Sequence, residues 1–142
     1  MINKKTGIII SYEDKTMLKH SKQRDSINQF LKSRRDHPTA ETIYENIQQE
    51  FPHISLGTVY RNLALLTDIG EIQTISTGVG PDRFDGNAAP HYHFICKKCG
   101  CVQDLQVQNL DHINLLAQHD FDGTIEEHTV FFYGKCADCK SQ

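Results

Sequence analysis

Residues 39–70 read TAETIYENIQQEFPHISLGTVYRNLALLTDIG. Thr39 can cap a helix in which Ala40, Ile43, Tyr44 and Ile47 recur at the spacing of one helical face, and Phe51-Pro52 stops it. Ser55 can cap a second helix with Leu56, Val59, Leu63 and Leu66 on one side, and Gly70 stands where a left-handed residue closes it. Two helices joined by so short a turn, Phe51 to Ser55, have the layout of a helix-turn-helix.

Working outward, Ser21 predicts a preceding helix with Ile27, Phe30 and Leu31 on one face, ending at the basic Ser33-Arg34-Arg35, which suits the negative end of a helix dipole. After Gly70 the period changes. Glu71 to Ser76 predicts a strand, Thr77-Gly-Val-Gly-Pro81 a turn, and Asp82 to Asp85 a returning strand, as in the wing of a winged helix. Asn87-Ala-Ala-Pro90 looks like a hinge. Beyond it, strands are expected over His91–Cys96, Cys101–Leu105 and Thr124–Gly134, with a helix from Leu110 to Gln118 carrying Leu110, Ile113, Leu116 and Ala117. The expected class is α+β: a winged helix-turn-helix domain over residues 1–84, then a small α/β domain over 85–142. The opening segment is the least legible, since Gly7 and Ile8-Ile9-Ile10 argue against a helix there.

At 142 residues the chain has room for one ordinary domain or two very small ones, which excludes a large multidomain enzyme. With 38% hydrophobic and 23% charged residues the composition is that of a folded soluble protein, and no run approaches the roughly 20 apolar residues that span a bilayer. The first residues carry only a three-residue apolar run, so a cytoplasmic location without membrane contact is expected. Net charge is −3, yet Lys15, Lys19, Lys22, Arg24, Lys32, Arg34 and Arg35 face only Asp25 between residues 15 and 35. Such a run can track phosphates or be a plain solvated face.

All five cysteines follow residue 95, four of them as Cys96-Lys-Lys-Cys99 and Cys136-Ala-Asp-Cys139. In a reducing compartment this spacing suits a tetrahedral zinc ion better than a disulfide or a redox pair, and Gly100 gives the first knuckle its turn. The fifth, Cys101, is either a small strand residue or a reactive thiol. His91-Tyr-His93 on a strand puts two imidazoles on one face. Asp85, Asp104 and His37, the last reaching across the hinge, are further candidate ligands, and imidazole with carboxylate suits Fe(II), Mn(II) or Zn(II). On the helix after Ser55, Thr58, Tyr60 and Arg61 can reach phosphates and base edges.

Five segments together carry a family likeness: His37-Pro-Thr-Ala-Glu-Thr-Ile-Tyr44, Ser55-Leu-Gly-Thr-Val-Tyr-Arg-Asn-Leu63, Arg83-Phe-Asp85, His91-Tyr-His-Phe-Ile-Cys-Lys-Lys-Cys-Gly100 and Tyr133-Gly-Lys-Cys-Ala-Asp-Cys139. From Ser21 to Cys139 the chain resembles the ferric uptake regulator family, and within it the peroxide-responsive repressors. The resemblance implies a homodimeric, metal-dependent repressor that binds operator DNA and is not an enzyme. It implies structural zinc on Cys96, Cys99, Cys136 and Cys139, and regulatory iron or manganese on His37, Asp85, His91, His93 and Asp104. Aspartate at 104, where iron-uptake regulators usually carry glutamate, favours the peroxide branch, in which iron-driven oxidation of His37 or His91 releases the DNA. Peroxide would then be the one small-molecule reactant. The alternative in the same family is an iron or zinc uptake regulator that answers to metal supply. A third metal site of many uptake regulators would fall on Pro90 and Tyr92, which are not ligands for it. A metalloenzyme is disfavoured because no general base joins the cluster.

Overall fold

A computed structural model describes residues 19–108 and 110–141. Gly7, Ile8-Ile9-Ile10 and Lys15 lie outside the described residues. The chain divides into two compact units, the first ending at Ala89 and the second beginning at Pro90. The division thus follows residue 89 rather than 84, because Asp85 closes a strand that belongs to the first unit.

The first unit holds α1 (Lys22–Lys32), α2 (Ala40–Ile47), α3 (Leu56–Asp68), β1 (Gln73–Ile75) and β2 (Arg83–Asp85). Each helix starts where a hydroxyl satisfies an orphan amide: Ser21 Oγ accepts from Arg24 N at 3.3 Å, Thr39 Oγ1 from Thr42 N at 3.3 Å and Ser55 Oγ from Thr58 N at 3.1 Å. Such caps typically contribute about 1 kcal/mol each. Gly70, at φ 76°, ends α3 in the left-handed conformation. The inward faces of the three helices share one core: Ile27 and Leu31, then Ala40, Ile43 and Ile47, then Val59, Leu63 and Leu66, closed below by Ile72 and Phe84. β1 and β2 pair antiparallel with Gln73 opposite Asp85 and Ile75 opposite Arg83. Their loop turns through Gly78 and Gly80, both at positive φ.

The second unit holds β3 (Tyr92–Cys96), β4 (Val102–Leu105), α4 (His112–Gln118), β5 (Phe131–Gly134) and α5 (Ala137–Lys140). β3 is central, antiparallel to β4 and parallel to β5. Two elements differ from expectation. The last strand covers only Phe131–Gly134 rather than starting at Thr124, because Ile125 N–H gives its hydrogen bond to the Gln118 side chain at 2.8 Å instead of to a ladder. The helix starts at His112, and none of its residues is buried: Leu115 is 76% and Leu116 72% exposed. The buried apolar and thiol side chains of this unit are Ile95, Cys96, Val102, Cys136 and Cys139, so sulfur makes up much of its interior. A core this small needs a staple.

Candidate metal centres and nucleic-acid interface

The parallel pairing sets Cys96 opposite Gly134, so the first knuckle, after β3, and the second, after β5, start side by side. Gly100, at φ 76°, reverses the chain while its N–H bonds the Cys96 carbonyl at 2.9 Å. Cys136 forms the second knuckle as the N-cap of α5, accepting from Lys140 N at 2.9 Å. The sulfurs of Cys96, Cys99, Cys136 and Cys139 lie within 4.8 Å of one another, and all are free thiols. Cys99 Sγ and Cys136 Sγ are 3.8 Å apart, the separation that two ligands about 2.3 Å from a tetrahedral zinc ion would have.

The thiols also differ in acidity. Backbone N–H groups of Cys99 and Cys136 aim at Cys96 Sγ, at 3.5 and 3.4 Å, and bring its thiol down to about 6; Cys136 is lowered chiefly by the backbone of Cys139. Cys139 is pushed up to about 12 by its hydrogen bond to Cys136 and by burial, and Cys101 likewise to about 12 by burial first. Sulfurs packed this closely cannot all hold negative charge unaided, and a divalent cation among them supplies the missing positive charge. The donor set therefore fits zinc.

Within the second unit, β3 and β4 also build an imidazole and carboxylate group. His93 is the register partner of Asp104. Asp104 Oδ1 lies 2.9 Å from His91 Nε2 and 3.4 Å from His93 Nε2, and the two imidazole rings are 4.2 Å apart. Two Nε2 atoms converging on one carboxylate oxygen is a ligand-like arrangement for a borderline cation. His93 is buried, whereas His91 sits just before β3 and is partly exposed.

Within the first unit, His37 and Asp85 form a second such group. His37 Nε2 lies 3.2 Å from Asp85 Oδ2, with both side chains buried. His37 is the one described non-glycine residue at positive φ, 51°, a strained conformation of the kind found at functional positions. Its loop is pinned to β2, where Phe84 N–H donates to the Pro38 carbonyl at 3.0 Å and Arg83 Nη1 to the His37 carbonyl at 3.3 Å. Asn87 N–H donates to Asp85 Oδ1 at 2.8 Å, a support that the sequence reading missed.

On α3, Tyr60 and Arg61 are exposed and Thr58 half-buried. Arg61 Nη2 donates to Thr58 Oγ1 at 2.8 Å, and the Tyr60 hydroxyl donates to Glu41 Oε1 on α2 at 3.2 Å. The basic run is less bare than its sequence: Lys32 pairs with Glu71 at 3.3 Å, and Arg34 with Asp36, whose carboxyl it holds below the usual range. Tyr92, where a third-site ligand would stand, is instead tied down. Its hydroxyl meets His128 Nε2 at 3.0 Å and accepts from Leu110 N at 3.1 Å, and His128 Nδ1 meets Asn114 Oδ1 at 2.7 Å.

Residues 15–133 match the model of the ferric uptake regulator family. The peroxide-responsive repressor PerR of Staphylococcus epidermidis is 41% identical over 120 residues, which span 84% of this chain and 80% of that protein. Among solved structures, the Campylobacter jejuni peroxide stress regulator is similar with a TM-score of 0.71 and 29% identity, over 82% of this chain and 88% of its own. The Helicobacter pylori ferric uptake regulator Fur, whose structure is described as revealing three functional metal-binding sites, is similar with a TM-score of 0.77 and 25% identity, over 89% of this chain and 85% of its own.

Proposed function

This chain belongs to the ferric uptake regulator family, and from that premise we propose that it is a metal-dependent transcriptional repressor that senses peroxide and then leaves its operator. The observation that carries the proposal is the convergence of histidine on aspartate in two places: His37 lies 3.2 Å from Asp85 with both buried, and the half-buried His91 and the buried His93 approach the exposed Asp104 at 2.9 and 3.4 Å. Structural zinc would take Cys96, Cys99, Cys136 and Cys139. Regulatory iron or manganese would take the five imidazole and carboxylate ligands. Aspartate at 104 and the 41% identity to a peroxide-responsive repressor favour peroxide over metal supply as the signal.

The two units, the first ending at Ala89 and the second beginning at Pro90, would divide the work: a winged helix-turn-helix in the first and dimer contacts in the second. Thr58, Tyr60 and Arg61 would enter the major groove from α3, with the loop between β1 and β2 as the wing. Leu115 and Leu116 on α4, exposed in one chain, would be covered in a homodimer. Ligands shared by the two units would restrain one against the other, and so set the spacing of two recognition helices, which must meet major grooves roughly 34 Å apart. When bound, iron(II) supplies the electrons that reduce peroxide beside the ligand imidazoles. The protein's part is to hold the rings of His37 and His91 where oxygen is then added; once oxidised, a ring no longer offers its nitrogen as a ligand.

Protein loaded with iron and protein loaded with manganese, each treated with peroxide and digested, test this by peptide mass. The expected result is one added oxygen on the peptide of His37 or His91 with iron and none with manganese. No gain with iron sinks peroxide sensing and leaves a regulator that answers to metal supply.

A further inference from the structure

The zinc knuckles hold four sulfurs, yet the chain brings a fifth to the same place. The β3–β4 register pairs Ile95 with Val102, and one step further Cys96 N–H donates to the Cys101 carbonyl at 3.0 Å. Cys101 therefore lies opposite Cys96 at the end of the ladder, and residues so paired carry their side chains on one face of the sheet, with Cβ atoms about 4.5–5.5 Å apart. Cys101 is half-buried and packs directly on the cluster of Cys96, Cys136 and Cys139.

The four sulfurs of the cluster are unequal. Cys96, Cys136 and Cys139 are buried, while Cys99 is exposed at the tip of its knuckle. Cys99 is thus the sulfur that solvent-borne reagents meet first. Cys101 lies on the other side of Gly100 from it, two residues along the chain.

We propose that Cys101 is a reserve ligand of the zinc site, taking the corner of Cys99 whenever that sulfur is unavailable. The inference rests on the reading of the four cysteines as a zinc site. The exchange is not a redox step: the Cys101 thiol gives its proton to solvent as its sulfur binds, and the ion keeps four sulfur ligands. In consequence, damage to the one exposed sulfur does not deprive the second unit of its staple.

The test compares full-length protein with Cys99→Ser, Cys101→Ser and the double variant. Zinc per chain is measured by elemental analysis after gel filtration, and the sulfur count from the charge-transfer absorption of cobalt-loaded samples. Wild type, Cys101→Ser and Cys99→Ser are expected to retain about one zinc per chain, with four-sulfur cobalt spectra. The double variant is expected to retain at least about tenfold less zinc. The proposal is overturned if Cys99→Ser loses zinc as fully as the double variant, whether or not either folds. It is equally overturned if Cys99→Ser keeps zinc with a three-sulfur spectrum. Absence of zinc from wild type would instead overturn the underlying assignment of the four-cysteine site, a result separable from both.

Discussion

Gly86 stands so close to the end of α1 that a Cβ on it would lie 2.5 Å from both the carbonyl carbon and the carbonyl oxygen of Leu31. The neighbour is backbone and cannot swing aside. Gly86 also separates Asp85 from Asn87, whose N–H holds the Asp85 carboxylate at 2.8 Å. Gly86→Ala is expected to lower stability by about 1–3 kcal/mol through overpacking, and to weaken manganese binding because the push falls between Asp85 and its support. Thermal unfolding and a manganese titration check both. Unchanged melting would show that this contact does not hold Asp85.

Arg61 is exposed on α3 and spends its guanidinium on Thr58 Oγ1 when no DNA is present. Bound to an operator, it can exchange that neutral acceptor for a base edge or a phosphate. Arg61→Ala is expected to cost about 1–3 kcal/mol of operator binding, with unfolding little changed because the side chain is exposed. Fluorescence anisotropy with operator DNA at several salt concentrations separates the cases: a smaller salt slope marks a phosphate contact, and a loss confined to one sequence marks a base contact.

The Tyr60 phenol has its pKa raised above the ordinary value, first by partial desolvation and then by the Glu41 carboxylate that accepts its hydrogen bond. A nearby negative charge disfavours phenolate, so Glu41→Gln should move the Tyr60 pKa down toward its ordinary value while the desolvation remains. Absorbance titration of phenolate at alkaline pH reads the difference. The same substitution removes a negative charge beside α3, so operator binding should tighten several-fold, and less so at high salt. Weaker binding would mean that Glu41 orients Tyr60 for the DNA rather than repelling it.

Much of the first unit was legible because its signals are local. Ser21, Thr39 and Ser55 announce their helices, the apolar residues recur every three or four positions, and Gly70 ends α3; each depends on neighbours a few residues away. The histidine and aspartate groups were readable as candidates from ligand type and from strand alternation at His91 and His93. What escaped depends on contacts distant in sequence. Nothing near Gly86 reveals that the backbone of Leu31 passes against it, and nothing near Lys32 reveals Glu71. The stretch from Thr124 to Val130 has the residues of a strand but finds no neighbouring strand to pair with among the described residues, and there the local signal misled.

Leu115 and Leu116 show the same limit from the other side. Their helix was placed correctly in outline, but its apolar side chains are among the most exposed of the second unit, together with Phe121 and Tyr133. If they lie in a homodimer interface, Leu115→Ser with Leu116→Ser should shift the protein from dimer to monomer in sedimentation at micromolar concentration, with zinc still bound. Operator affinity should drop with it, since one recognition helix alone reads half a site. A dimer that survives both changes would place the interface elsewhere.

His93 separates the two proposed metal sites most cleanly. It is buried, is the register partner of Asp104, and lies three residues before Cys96 on the same strand. If the zinc staple and the regulatory site are independent, His93→Ala removes one regulatory ligand and no sulfur. Manganese affinity should then fall by about 10–100-fold or more, and metal-dependent operator binding with it, while zinc content stays at about one per chain. A cavity where a buried imidazole stood also lowers stability, so His93→Gln, closer in volume, is the needed companion: it should fold better than the alanine variant and still bind operator poorly. Loss of zinc in both variants would mean that the strand transmits damage from one site to the other, and that the two cannot be loaded separately.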